Sequence, residues 1–187
     1  MADSFKNTIA VNLFAGPGAG KSTGAAYIFA RLKMLGVDAE LVTEFAKDMV
    51  WEENQTVISN QLYVFGTQSF RMSRCRGKVR VIITDSPLLL NGLYCKPTEP
   101  YYDLLQQVVY AEWSKYDNYN YFIRRVKPYN PNGRFQNEEG AKAIDKITLK
   151  CLANNKVKYT VIDGSQDGYD TVVEQIYHAV CSEGGRG

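Results

Sequence analysis

The run Gly16-Pro17-Gly18-Ala19-Gly20-Lys21-Ser22-Thr23 constrains this chain more than any other stretch. It fulfils the pattern G-x-x-x-x-G-K-S/T. An apolar run, Thr8–Phe14 (TIAVNLF), stands directly before it, and a helix-period run, Lys21–Leu35, directly after. A short apolar run closed by glycine reads as a buried strand, and Gly36 supplies a stop for the helix. Glycines at 16, 18 and 20 let the backbone curl so that successive N–H groups turn inward. The helix N-terminus that follows favours an anion, so the turn suits a phosphate group. A chance glycine-rich turn would not need this strand and helix on either side.

Within the loop, Lys21 brings a compact positive charge to β- and γ-phosphates, and the Ser22 hydroxyl is a candidate magnesium ligand. Gly16, Pro17, Gly18, Ala19, Gly20, Lys21, Ser22 and Thr23 are therefore the expected nucleotide cradle, with ATP and Mg²⁺ as its ligands.

Further along, apolar runs alternate with longer segments of helical spacing, the pattern of βαβ units. Strands are expected at Ala39–Thr43, Val79–Thr84, Asn120–Ile123 with its flanks, and Tyr159–Ile162. One or two helices are expected between Asn54 and Arg76, with Leu62, Phe65, Phe70 and Met72 as core positions. Others are expected at Tyr101–Trp113, from near Asn137 onward, and at Tyr169–Cys181. The fold class this implies is α/β, a P-loop architecture with a doubly wound, five-stranded parallel sheet. With 187 residues, no repeat and no linker, the chain reads as one domain, 1–187.

Composition excludes several classes. No apolar run approaches the roughly 20 residues that span a bilayer, and the amino terminus lacks a signal pattern, so no membrane partner is expected. Cys75, Cys95, Cys151 and Cys181 form no C-x-x-C pair, which argues against zinc and for free thiols in a cytoplasmic protein. The net charge of +2 and pI near 8.3 are too mild to call for nucleic acid unaided.

Three further groups carry chemistry. Asp85 follows the run VRVIIT, where a carboxylate can hold Mg²⁺, and Glu44 ends the second strand, where one can take a proton from an attacking hydroxyl. Each can equally be a solvated acid or a helix cap, and which of them is the base stays open. Arg124, Arg125, Lys127 and Arg134 crowd a Pro/Asn/Gly loop that suits a lid over ATP, spanning about 125–140. Arg134 is the preferred lid arginine, with Arg125 and Lys127 next. Gln61, Phe65, Gln68 and Arg71 lie on one helical segment, where glutamine can read a base edge, phenylalanine can stack and arginine can hold a phosphate. The same spacing also describes an amphipathic helix with a wet face. His178 reads as a surface residue, and Tyr94, Tyr101 and Tyr102 as an acceptor groove or a half-buried surface.

Together these residues resemble the nucleoside- and nucleotide-kinase branch of P-loop proteins, thymidylate kinase included. GPGAGKST, TEFA at 43–46, TDSP at 84–87 and the loop RRVKPYNPNGR carry the likeness. Where thymidylate kinases usually place arginine after the aspartate, this chain has Ser86-Pro87. More narrowly, GPGAGKST, QLYVFGTQ, ITDSPLLL and VKPYNPNGR resemble small bacteriophage kinases, some of which phosphorylate 5-hydroxymethyluracil within DNA. The resemblance implies a phosphotransferase whose acceptor is the hydroxymethyl group of a modified DNA base, a step in thymidine hypermodification. A free nucleoside or nucleoside monophosphate is the alternative acceptor. An ATPase or switch without an acceptor, and a protein that only binds ATP, are the other classes. The oligomeric state is left open.

Overall fold

The computed structural model describes residues 8–126 and 137–184. In chain order these form β1 (Ile9–Phe14), α1 (Lys21–Met34), β2 (Ala39–Val42), α2 (Phe45–Trp51), α3 (Gln55–Ser59), α4 (Gln61–Ser73) and β3 (Val81–Thr84). There follow α5 (Leu88–Tyr94), α6 (Tyr102–Trp113), β4 (Asp117–Arg124), α7 (Glu138–Asn154), β5 (Thr160–Asp163) and α8 (Gln166–Gly184). The five strands make one sheet in the order β2-β3-β1-β4-β5, and every pairing is parallel.

All six residues of β1 are buried, as its unbroken apolar run requires of a strand covered on both faces. Alternation sends Ile9, Val11 and Leu13 to one side, where Ile28 and Leu32 of α1 and Val172 and Ile176 of α8 pack on them. Ala10 and Phe14 face the other side, against Leu88 of α5, Leu105 and Val109 of α6 and Leu152 of α7. Pairing with β4 carries a polar register mark. Buried Asn12 donates through Nδ2 to Asn118 Oδ1 at 2.9 Å and to Asn120 Oδ1 at 3.0 Å. A slip by one residue would strand those amides in the core.

Most expected elements stand within a few residues of their expected places. Two helices went unread. α2 is short and buries only Phe45 and Met49, too few positions to show a period. α5 begins with three consecutive leucines, all buried, a run that has no helical spacing to detect. Asn54 and Asn60 each cap a helix through a side-chain acceptor, which divides the segment between Asn54 and Arg76 into α3 and α4. Leu62 and Phe70 are corrected as core positions. The inward stripe of α4 is Val64, Phe65, Gln68 and Met72, which leaves Leu62 48% and Phe70 68% exposed.

Among the described residues no helix is long and apolar enough to cross a membrane, and all four cysteines are free. His178 is exposed, while Tyr101 and Tyr102 pack partly buried against the core cluster on the α5–α7 side.

α1 is braced from the side by Tyr169 of α8, which is 3% exposed. A Cβ added at Gly24 would lie 2.5 Å from Tyr169 Cε1 and 2.9 Å from its Cζ. We expect Gly24→Ala to lower stability by about 1–3 kcal/mol, the usual range for overpacking. Urea denaturation checks this, and adding Tyr169→Leu should recover part of the loss because the two changes share one space.

Candidate active site

The parallel register assembles the site. Asn12 of β1 and Val42 of β2 both pair with Thr84 of β3, so the carboxyl ends of these strands lie side by side. The loop after β1, Asp85 one residue past β3 and Glu44 just past β2 consequently share one edge of the sheet, where ligands of open α/β sheets collect. One cavity of about 380 Å³ opens there, with Gly18, Lys21 and Ser22 on one wall and Glu44, Asp85 and Gln61 on another.

The loop from Gly16 to Thr23 takes the curl its glycines allow. Gly18 has φ +82° and Gly20 φ +106°, backbone angles that side chains with a Cβ rarely adopt. Gly20 is also held by a tertiary bond, its carbonyl accepting from the Tyr169 hydroxyl at 3.1 Å. Lys21 folds back and donates to the carbonyls of Ala15 at 2.8 Å and Gly16 at 3.2 Å. An ammonium has three donors, so at least one remains for a ligand. Burial holds the Lys21 pKa below the ordinary lysine value, partly offset by the nearby charges of Glu44, Asp85 and Asp145.

Asp85 is 3% exposed, and its Oδ1 accepts the Glu44 N–H at 3.0 Å, tying the ends of β2 and β3 together. Glu44 occupies the N-cap position of α2, yet its side chain makes no capping bond. Its carboxylate is therefore not consumed as a cap. Burial pushes the Glu44 pKa up, as does Asp85, against the opposing pull of Lys21. A carboxylate so placed has raised proton affinity, which suits a base. Tyr94 also lines the cavity, and its phenol is pushed up to about 12 by burial and by the Glu44 charge.

The polar residues of α4 divide in their placement. Gln61 faces the cavity, and its Oε1 is buried without a hydrogen-bond partner among the described residues, while Nε2 donates to Ile58 O at 2.8 Å. Gln68 also borders the cavity, but its amide serves the backbone. Oε1 accepts from Phe45 N–H at 2.9 Å and Nε2 donates to Thr43 O at 3.3 Å. Arg71 lies over the Phe45 ring at 5.1 Å and donates to Asp48 Oδ2 at 2.7 Å. Gln68 and Arg71 thus grip the turn at residues 43–45 that presents Glu44. Phe65 is 7% exposed and sits in the core rather than on the cavity wall.

Arg125 stands behind the loop. Its Nε donates to Asp145 Oδ2 of α7 at 2.6 Å, with each side chain 15% exposed, and Asp145 Oδ1 accepts the Gly16 N–H. Lys127 and Arg134, with most of the expected lid, lie outside the described residues. Lys47, Trp51 and Asn91 join the cavity wall without having been singled out in the sequence. The first two sit one turn apart on α2, the helix that pattern reading did not find.

We expect Asp145→Ala to destabilise the protein by roughly 2–4 kcal/mol, somewhat below the cost of breaking a fully buried pair. The change removes the carboxylate that both the Arg125 guanidinium and the Gly16 N–H use, and leaves Arg125, among the described residues, only its 3.4 Å bond to Ala141 O. Thermal or urea unfolding measures the loss, and the double variant Arg125→Met/Asp145→Leu should be closer to the parent than Asp145→Ala alone.

No family model matches the sequence, and no curated protein matches it. Solved structures do. The NadR protein in complex with NR aligns over 91% of this chain and 51% of its own, with a TM-score of 0.69 at 15% identity. This chain therefore spans about half the length of that protein. Deoxyadenosine kinase from M. mycoides aligns in two structures. With products dCMP and a flexible dCDP bound, it covers 92% of this chain and 99% of its own, with a TM-score of 0.51 at 19% identity. With dATP bound, it covers 90% and 99%, with a TM-score of 0.59 at 19% identity. At such identities the likeness is one of fold, and the fold of this chain is a five-stranded, all-parallel α/β sheet flanked by helices.

Proposed function

We propose that this chain is a single-domain, cytoplasmic P-loop kinase that binds ATP and moves its γ-phosphoryl group onto a hydroxyl of a nucleobase-bearing acceptor. The observation that carries this reading is one cavity walled both by the phosphate loop and by Glu44, Gln61, Trp51 and Tyr94. An ATPase acting on water has no use for an aromatic wall and an unpartnered amide oxygen in the cavity of its phosphate loop. A kinase needs such a wall to seat its acceptor.

The residues present fit Mg²⁺. Ser22 and Asp85 offer hard oxygen donors on the same cavity, and among the described residues no group of three or more His, Cys, Asp or Glu stands together. Two protein oxygens suit an ion held mostly by substrate phosphates and water. When bound, Mg²⁺ supplies positive charge to the phosphate oxygens.

In the transfer we propose, the acceptor oxygen attacks the γ-phosphorus in line as the bond to the bridging β–γ oxygen breaks. The acceptor proton passes to the Glu44 carboxylate, and ADP leaves. Lys21 and the backbone N–H groups of residues 18–23 hold the phosphate charge. Asp145 fixes Gly16 and Arg125 relative to α7. Arg134 and Lys127 are assigned, from sequence, to the charge that gathers on the moving group.

For the acceptor we favour 5-hydroxymethyluracil within DNA. Trp51 supports this, because it lines the cavity while 68% exposed, so a base turned out of its strand can stack on an open wall. The second reading, a free nucleoside or deoxynucleoside monophosphate, draws support from fold neighbours whose structures hold NR, dCMP with dCDP, or dATP.

γ-labelled ATP offered with hydroxymethyluracil-containing DNA, unmodified DNA and a panel of free nucleosides and monophosphates separates these readings. Label confined to the modified DNA supports the first, and label confined to the free pool moves the protein to the second. We expect Lys21→Ala to lower kcat/KM by about 10²-fold or more. Glu44→Gln should lower kcat by about 10²–10⁴-fold with the KM for ATP nearly unchanged. Full activity in Lys21→Ala would overturn the kinase reading, whereas full turnover in Glu44→Gln removes only the assigned base.

A further inference from the structure

Among the described residues on the cavity wall, the cations are Lys21 and Lys47. Lys21 belongs to the phosphate loop and is held by the carbonyls of Ala15 and Gly16. Lys47 lies across the cavity on α2, is exposed, and has no ion pair among the described residues. Trp51 follows it by one helical turn, so the two side chains share a face of α2, and both border the cavity. Arg71, the cation that sequence spacing offered as a phosphate holder, is taken up by Asp48 at 2.7 Å and by the Phe45 ring. A neutral nucleoside offers the Lys47 ammonium no charged partner. A phosphate gives it a charge-assisted hydrogen bond.

Resting on the kinase reading above, we infer that the acceptor carries a phosphate ester beside its base, with the base stacked on Trp51 and the phosphate held by Lys47. Nucleoside monophosphates and the phosphodiesters of a DNA strand share this chemistry. Neutral nucleosides do not.

Trp51 reports its own occupancy. In a Trp113→Phe protein it is the remaining tryptophan of the two in the chain. Its fluorescence can be titrated with 5-hydroxymethyl-2′-deoxyuridine and with deoxyadenosine, each as nucleoside, as 5′-monophosphate and as the centre of a trinucleotide. We expect the phosphate-bearing forms to bind about tenfold more tightly than the nucleosides, the scale of one charge-assisted hydrogen bond. That advantage should vanish in Lys47→Met and survive in Lys47→Arg, while affinity for the nucleosides stays level. A preference for the monophosphate supports a free nucleotide, and a preference for the trinucleotide supports a strand.

Equal binding of nucleosides and phosphate forms would overturn the inference, as would equal weakening of every form in Lys47→Met, or no quenching by any of them. Label transfer to neutral nucleosides that Lys47→Met leaves untouched would sink this inference and spare the kinase reading. Unchanged activity in Lys21→Ala would sink the kinase reading, and this inference with it.

Discussion

β1 is buried along its whole length and paired on both edges, and the working parts of the molecule hang from it. A strand with no solvent-facing side must be apolar throughout and must have helices over both faces. Its parallel neighbour β3 is locked to it in register, with Thr84 opposite Asn12, because the hydrogen-bond ladder admits no partial offset. The phosphate loop leaves the end of β1, Asp85 leaves the end of β3, and β2 brings Glu44 to the same line through β3. The register asparagine, Asn12, keeps the other edge from slipping by pairing its amide with Asn118 and Asn120.

On this frame the site balances charges that burial disfavours. Lys21 is desolvated, and Glu44, Asp85 and Asp145 stand near enough to restore part of what it loses. Glu44 meets the converse situation, with Lys21 opposing burial and Asp85 adding to it. Lys21 is held in place as well by the carbonyls of Ala15 and Gly16. The backbone that carries them is fixed from outside the cavity. Tyr169 holds Gly20, Asp145 holds Gly16, and Gln68 with Arg71 holds the turn that presents Glu44. Side chains spent on backbone groups thus set the position of the loop and of Glu44.

The legible part of the fold was the part with a strong local signature. The phosphate loop shows itself because its glycines, lysine and hydroxyl must be consecutive. The strands show themselves as short apolar runs, and α1, α6, α7 and α8 as longer stretches of helical spacing. α2 and α5 failed to show because a seven-residue helix gives a period too few positions to repeat. With α2 went Lys47 and Trp51, which border the cavity only because that helix folds over it. The glutamines of α4 illustrate a different limit. Spacing put Gln61 and Gln68 on one face, but not which amide would be spent on the neighbouring turn.

Local order alone therefore determined the strand–loop–helix cradle, the alternation of strands and helices, and the placing of carboxylates after two apolar runs. Those features depend on neighbours in the chain, whose geometry a residue pattern encodes directly. The tertiary structure decided which side chains face the cavity, that Asp145 and Tyr169 brace the loop, and that Arg71 is committed to Asp48. These are contacts between segments far apart in sequence, and only the packing of the sheet and its helices brings them within reach.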